Sequence, residues 1–576
     1  MSDNKEPQEK FMPTRRQFIG GSVTGAALIA VGCSPSQPNT TDQIKGAEHI
    51  LGLDYSDAER ETIASSIDEQ LETIKALRGL GHPNDLPPAQ IFDPRLKGKT
   101  YAPQDNKITL KSATIPALPT NAEDIAFAPL TKLSYWIKTK QISSLDLTKL
   151  YLERIEKHGA KLECFVTVTK DLALEQAVQA DRDITSGNYK GALHGIPYGV
   201  KDLMDTDGIA TTWGATPYKD RVATTDAHIV TKLREAGAVL IGKTTCGAVA
   251  WGDVWFDGTT RNPWNTLEGS SGSSAGSASA TGAGLVGFAI GTETLGSIVS
   301  PSNRCGTTGL RPTFGRVGRS GTMALCWSLD KIGPICRSVE DTSLVLGALN
   351  GADDNDPANI DHGFEYNGNI DPKSISLGYD VAAFNDEEAT ELDRTTLEKV
   401  KAMGFNMVEI NLPEVNTEPL IMQLSVEAAA AFAELTLSDR DDELRWAEKY
   451  SWPHVWRQAR LVSAVDLIQV DRLRRTLMVK MADVFNGVDA IIGPNFSKGM
   501  LRITNYTGHP QLCMRAGFEE RNVRQAYEGE IVPEGTVDIL PHNISLWSPL
   551  FKEANIIALG RAIEEGLGVV GERPSL

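Results

Sequence analysis

A serine in a turn of small residues is the part of this sequence best suited to chemistry. The stretch 269–309 consists almost wholly of Gly, Ser, Ala and Thr, a composition typical of flexible linkers. It also contains one apolar run, Leu285–Ile290, which predicts a short buried strand ending at Gly291. The residues Thr294-Leu-Gly-Ser297 then predict a turn that places a hydroxyl beside free backbone N–H groups. Such a turn suits a nucleophile beside an oxyanion hole.

A lysine at the end of a predicted strand is the second candidate. Residues 196–200 are apolar and compatible with a β-strand, so Lys201 is expected where that strand ends. A single lysine is more commonly a solvated surface charge. Downstream, the pattern predicts a helix over 226–237 and a buried strand over 238–243. Strand, helix and strand in this order favour a parallel sheet.

Amphipathic helices are predicted around these segments. Ser56 and Glu59 have capping-box spacing, and the apolar residues that follow predict a single helix ending near Gly79. Further helices are predicted over 125–138, from an N-cap at Ser143 to about residue 158, and over 171–187. They surround the candidate residues and carry no chemistry of their own.

Composition and charge exclude several classes of function. The chain has 576 residues, 41% of them hydrophobic and 23% charged, which is ordinary for a soluble globular protein. A net charge of −18 argues against a nucleic-acid partner, because phosphate binding needs clustered Lys and Arg. The seven cysteines form no CxxC pair, and the six that follow Cys33 are expected as buried free thiols rather than disulfides. The nine histidines are scattered. The sequence predicts neither a metal site nor a cofactor.

The N-terminus is interpreted as an export signal. Thr14-Arg-Arg-Gln-Phe-Ile19 precedes a Gly/Ala-rich apolar run and resembles a twin-arginine signal. Cys33, in Ala30-Val-Gly-Cys33, resembles the acylated cysteine of bacterial lipoproteins, and the alternative is simple release after cleavage. We therefore expect a periplasmic or cell-envelope protein, with a possible lipid anchor at Cys33.

The chain from about Ile125 to Leu567 resembles the amidase signature family, which includes bacterial amidases, fatty acid amide hydrolases and the A subunit of the glutamyl-tRNA amidotransferase. Five segments in order carry the resemblance: Gly195-Ile-Pro-Tyr-Gly-Val-Lys201-Asp202, Gly272-Ser273-Ser274-Ala-Gly-Ser277-Ala278, Gly291-Thr-Glu-Thr-Leu-Gly296-Ser297-Ile298, Gly309-Leu-Arg-Pro-Thr-Phe-Gly-Arg316-Val and Asn505-Tyr-Thr-Gly-His-Pro510. The resemblance implies an α/β fold, a single large domain with a mixed twisted sheet of about eleven strands covered by helices. Together these observations predict an export signal at 1–33, a tether and accessory helical segment at 34–120, and an amidase signature domain at 121–576.

The same resemblance implies a Ser–Ser–Lys triad. Ser297 is the nucleophile, Ser273 is a bridging serine on a cis peptide bond, and Lys201 is the base. The backbone N–H groups of Thr294, Leu295, Gly296 and Ser297 form the oxyanion hole. Lys201 can serve as a base near neutral pH only if burial lowers its pKa from about 10.4.

Three residues depart from the family pattern. Where most members have an Asp and an Arg that form a buried ion pair, this chain has Glu293 and Val299, so Glu293 is expected to lack that cation. A buried carboxylate without a cation is costly, so another group must compensate, or Glu293 is exposed or protonated. Leu295 replaces a glycine in the oxyanion turn, which demands a backbone angle that leucine tolerates.

These residues together predict hydrolysis of a linear carboxamide to a carboxylic acid and ammonia or an amine, through an acyl-enzyme. One alternative is an amidase-like binding protein without turnover, motivated by the changes at 293, 295 and 299. Another is an amidotransferase A-type subunit, which export and the acidic charge disfavour. An esterase uses the same catalytic groups, so the sequence does not distinguish it from an amidase. The substrate's acyl and amine groups, and the choice between monomer and homodimer, stay open.

Overall fold

The computed structural model describes residues 40–446, 450–527 and 529–576. The chain divides into two compact units, with the boundary between Gly79 and Leu80. The expected export signal and Cys33 lie outside the described residues, and the divisions at residues 33 and 120 stay predictions. Within the described ranges, no helix is both long and apolar enough to cross a membrane.

The described part of the first unit, residues 40–79, contains the helices Thr40–Leu51, Asp57–Ala64 and Ile67–Arg78. The capping box of Ser56 and Glu59 is present, as predicted. The prediction of one continuous helix to Gly79 is wrong, because the chain breaks at Ser65 and Ser66. Both serine hydroxyls donate to carbonyl oxygens of the preceding turn, which offers the backbone an alternative to continued helix.

The second unit is built around an eleven-stranded mixed sheet. In chain order its strands are β1 Phe165–Val168, β2 Pro197–Lys201, β3 Val239–Thr244, β4 Phe288–Glu293, β5 Thr308–Arg311, β6 Lys331–Cys336, β7 Ser376–Tyr379, β8 Asn406–Glu409, β9 Ala490–Pro494, β10 Gln511–Asn522 and β11 Val537–Trp547. Across the sheet the order is β8-β7-β9-β11-β10-β5-β6-β4-β2-β3-β1. Strand β2 is parallel to both neighbours, β3 and β4, whereas β4 pairs antiparallel with β6. The parallel pairing of β2 and β3 is the one that the strand, helix, strand pattern predicted.

Helices pack against this sheet and enclose its apolar core. The α-helices of the second unit are Ala122–Ala126, Leu130–Lys138, Ser144–Leu162, Lys170–Thr185, His228–Glu235, Ala275–Gly282, Val299–Cys305, Asp341–Leu349, Val381–Phe384, Glu391–Ala402, Ile421–Ala431, Ala433–Leu437, Trp452–Ala459, Ala464–Val484, Met500–Thr507 and Glu553–Leu567. Short strand pairs lie outside the sheet: Lys107–Thr109 with Glu365–Asn367, Val254–Trp255 with Gly258–Thr259, and Arg261–Asn262 with Asn265–Gly269. The predicted α/β fold is confirmed.

Most predicted elements are present with shifted ends. Ser143 is the N-cap of the helix Ser144–Leu162, as predicted. Strand β4 does not stop at Gly291 but continues to Glu293, because Glu293 pairs with Lys331 of β6. The cysteines of the described residues are all free and buried, as predicted.

Candidate active site

The ends of β2 and β4 meet at one edge of the sheet. The two strands are parallel neighbours, with Val200 opposite Ile290. Because parallel strands present their carboxyl ends at the same edge, Lys201, the last residue of β2, lies beside Thr292 near the end of β4. Lys201 Nζ is 2.8 Å from Thr292 Oγ1. Strand direction therefore explains why a lysine at a strand end reaches the small-residue turn.

Two serines of the small-residue stretch complete the surroundings of Lys201. Its Nζ lies 2.8 Å from Ser273 Oγ and 3.2 Å from Ser274 Oγ. Ser273 follows a cis peptide bond with Gly272, and Ser274 directly precedes the helix Ala275–Gly282. The lysine side chain is fully buried, and burial lowers its pKa to about 8. A lysine with this pKa can accept a proton near neutral pH.

Ser297 lies in the turn that follows β4. The residue is 9% exposed, and its carbonyl oxygen accepts a hydrogen bond of 3.1 Å from the N–H of Ser274. The backbone of Ser297 is thus fastened beside the two serines that contact Lys201. In the described part of the chain, Ser273 Oγ and Ser297 Oγ are not hydrogen-bonded to each other. The structure therefore brings Lys201 and Ser273 into contact, and places Ser297 next to them without a direct bond.

The turn carrying Ser297 presents unpaired backbone donors. Among the described residues, no group accepts a hydrogen bond from the N–H of Leu295, Gly296 or Ser297. Gly296 has φ of 92°, a conformation that favours glycine, whereas Leu295 has no positive φ. The leucine is therefore accommodated without backbone strain. Its half-buried side chain packs against an apolar cluster and leaves the N–H groups free.

A buried ion pair holds both ends of this turn. Glu293 ends β4, and its carboxylate accepts hydrogen bonds of 2.8 and 3.0 Å from the N–H groups of Ile298 and Val299 beyond the turn. Arg311 of β5 donates to the same carboxylate at 2.7 Å, and Asn505 donates at 2.9 Å. Burial alone would raise the pKa of Glu293, but Arg311, together with Lys331 and the N–H of Val299, outweighs it and holds this pKa at about 2.

Glu293 therefore lacks the cation that the family has at position 299, as expected, and has a different one. Val299 indeed supplies no charge, but Arg311 approaches from a different strand and makes the ion pair instead. Of the three possibilities left open by the sequence, compensation by another group is the one observed. The carboxylate is ionised, fully buried and bonded to four donors.

Sequence analysis did not identify Thr292, Ser274 or Arg311 as parts of the site. Thr292 and Ser274 lie inside the motifs that carry the family resemblance, so their proximity to the candidate serines was a usable signal. Arg311 lies in a motif too, but its partner is set by the order of β4, β6 and β5 in the sheet. No spacing in the sequence specifies that order.

Comparison with known proteins establishes the family. The family model described as Amidase matches residues 146–517. This chain belongs to the amidase signature family. Within that family, the A subunit of the glutamyl-tRNA(Gln) amidotransferase of Pseudomonas fluorescens (strain SBW25) is 31% identical over 463 residues, covering 74% of this chain and 95% of that protein.

Solved structures show the same fold. The native peptide amidase from Stenotrophomonas maltophilia has 26% sequence identity and a TM-score of 0.65, covering 78% of this chain and 98% of that one. An amidase family protein from Bacillus anthracis str. Ames has 24% identity and a TM-score of 0.67, covering 79% and 94%. The family resemblance drawn from the motifs is thereby confirmed. The protein is an amidase signature hydrolase that acts on carbon–nitrogen bonds.

Proposed function

We propose that this hydrolase cleaves a linear carboxamide to a carboxylic acid and ammonia or an amine, through an acyl-enzyme on Ser297. The observation that supports this most directly is the contact between Lys201 Nζ and Ser273 Oγ, at 2.8 Å. A buried amine with a lowered pKa beside a serine hydroxyl is the arrangement that a proton relay requires.

In the proposed acylation step, Lys201 Nζ takes the proton of Ser273, and Ser273 Oγ takes the proton of Ser297. Ser297 Oγ forms a bond to the carbonyl carbon, and the carbonyl oxygen becomes an oxyanion. The N–H groups of Leu295, Gly296 and Ser297, with that of Thr294, donate to it. When the oxyanion collapses, the carbon–nitrogen bond breaks, and the proton on Lys201 returns through Ser273 to the leaving nitrogen.

Deacylation uses the same groups in reverse. Water attacks the ester carbon, and its proton passes through Ser273 to Lys201. The oxyanion forms again at the same N–H groups. The bond between the carbon and Ser297 Oγ then breaks, and the proton on Lys201 returns through Ser273 to this oxygen. No metal or cofactor takes part in the proposed cycle.

Labelling with a fluorophosphonate, read by intact mass and peptide mapping, tests this proposal. We expect a single adduct on Ser297 of the purified protein. In Lys201→Ala the labelling rate is expected to fall by about 100-fold or more, because the general base is gone. No adduct, or an adduct on another serine, would contradict the assignment and favour the amidase-like binding protein without turnover.

The pH dependence of kcat/KM is a second test. Lys201 must be neutral to accept a proton, and its pKa is about 8. Below that pH the neutral fraction falls about tenfold per pH unit, so kcat/KM is expected to rise up to about pH 8 and then level off. Rates measured from pH 5 to 10 with a neutral amide check this. A flat profile would contradict the assignment of Lys201 as the base, and a limb near pH 10 would show that its pKa is not lowered.

The curated relatives at about 30% identity, named as amidotransferase A subunits, favour a second candidate function. Such a protein is expected to work with a partner, whereas the proposed hydrolase releases ammonia or an amine alone. Ammonia release from primary amides by the isolated chain separates the two. A parallel assay with alkyl esters compares esterase with amidase activity at the same serine.

A further inference from the structure

A cavity of about 200 Å³ lies beside the oxyanion turn. Thr292 and Thr294 form one part of its wall, and the loop that leads into β6 forms another. Residues of other segments, among them Asp85, Ala250 and Asp356, complete the lining. Thr292 Oγ1 is 2.8 Å from Lys201 Nζ, so the cavity lies next to the proposed reacting groups. Apolar side chains, among them Leu203 and Met323, line part of it.

Three hydrogen-bond donors in this cavity are poorly satisfied. Lys331 is 2% exposed. Among the described residues, its Nζ donates one long hydrogen bond, of 3.5 Å, to the carbonyl oxygen of Thr294. Trp327 Nε1 and Thr322 Oγ1 are buried with no partner among the described residues. All three residues line the cavity. Buried polar groups without partners are costly, so their presence together points to a ligand that accepts hydrogen bonds.

Two of the three carboxylates that line the cavity, by contrast, are already bonded, and the third belongs to Asp85, an exposed residue. Asp330 accepts from Thr294 Oγ1 at 2.6 Å and from the N–H groups of Leu325 and Cys326 at 2.8 and 2.9 Å. Asp356 forms an ion pair with Arg319 at 2.9 Å. Among the buried polar atoms of the cavity, the remaining hydrogen-bonding capacity is therefore on the donor side, and it includes an amine.

We infer that this cavity binds a carboxylate of the substrate, so that the preferred substrates are linear amides with a carboxylate a few atoms from the scissile carbonyl. Lys331 Nζ and Trp327 Nε1 donate to the carboxylate, and Leu203 and Met323 contact the methylene groups that connect it to the amide. Burial lowers the pKa of Lys331 well below its usual value, and the negative charge of a bound carboxylate favours the ammonium form. This inference rests on the proposed amide hydrolysis.

Chain-matched pairs of primary amides test the inference. Succinamate, glutaramate and adipamate are compared with butyramide, valeramide and hexanamide, in which a methyl group replaces the carboxylate. For the best pair, kcat/KM of the wild-type protein is expected to favour the acid amide by about tenfold to a hundredfold. In Lys331→Met that preference is expected to fall to about one, because the cation that meets the carboxylate is gone.

Two further variants distinguish loss of carboxylate recognition from damage to the turn that carries Ser297. Trp327→Phe keeps an aromatic ring and removes one N–H, so the preference is expected to fall partway. Lys498→Met is the matched control, because Lys498 lines the groove on the Leu295 side of the turn rather than the cavity. It is expected to keep the wild-type preference.

The outcomes that overturn the inference are distinct. Equal rates for acid and neutral amides in the wild type would contradict it, and so would loss of the preference in Lys498→Met. If Lys331→Met lowers both rates by the same factor, Lys331 supports the turn through the Thr294 carbonyl and does not recognise a carboxylate. If no amide is cleaved and Ser297 takes no fluorophosphonate, the proposed function itself fails.

Discussion

Replacing Ser297 with alanine is expected to lower kcat for amide hydrolysis by about a million-fold, the size of effect seen when a serine nucleophile is removed from a hydrolase that uses a catalytic relay. The reason is that Ser297 Oγ forms the bond to the carbonyl carbon in the proposed mechanism, so its removal abolishes the acyl-enzyme route. Residual hydrolysis in this variant would come from the oxyanion hole and binding alone. Initial rates on a primary amide, with loss of the fluorophosphonate adduct, measure the effect.

Ser300→Ala provides the matched control for this prediction. Ser300 lies three residues further on, at the start of the helix Val299–Cys305, and its hydroxyl is 2.8 Å from Ser271 Oγ rather than near Lys201. We expect its kcat to stay within a few-fold of the wild type. If Ser297→Ala keeps more than about 1% of wild-type activity, the nucleophile has been misassigned.

Replacing Arg311 with methionine is expected to lower the free energy of unfolding by about 3–5 kcal/mol. This change removes the cation from a fully buried pair and leaves the Glu293 carboxylate with neutral donors only. The same carboxylate ties the two ends of the turn that carries Ser297, so activity is expected to fall as well. Urea unfolding followed by tryptophan fluorescence gives the shift in midpoint, and rate assays on the folded protein give the activity.

The double variant Arg311→Met with Glu293→Gln is the control for this second prediction. A glutamine oxygen can still accept from the N–H groups of Ile298 and Val299, and no charge is left without a partner. Part of the lost stability is therefore expected to return. An Arg311→Met protein that unfolds at the wild-type urea concentration would show that the ion pair contributes little.

Short-range sequence patterns were enough to predict the segments that contain Lys201 and Ser297. The end of an apolar run at Lys201 placed that residue at a strand end, and β2 indeed ends there. The small residues Thr294-Leu-Gly-Ser297 predicted a turn, and the structure has a positive φ at Gly296. The cis peptide bond at Gly272–Ser273, which the family resemblance implied, is present as well. The predicted single helix after Ser56 failed, because side-chain bonds from Ser65 and Ser66 outweighed the helical periodicity.

By itself, the sequence determined the family, the α/β class, the strand that ends at Lys201 and the turn that carries Ser297, because these depend on residue type and short spacings. Only the tertiary structure decided what surrounds them. Arg311 meets Glu293 because β5, β6 and β4 lie side by side, and Lys331 borders the cavity because β6 starts next to the turn. Contacts of this kind depend on strand order and register, which arise from packing of the whole sheet and leave no pattern in the chain.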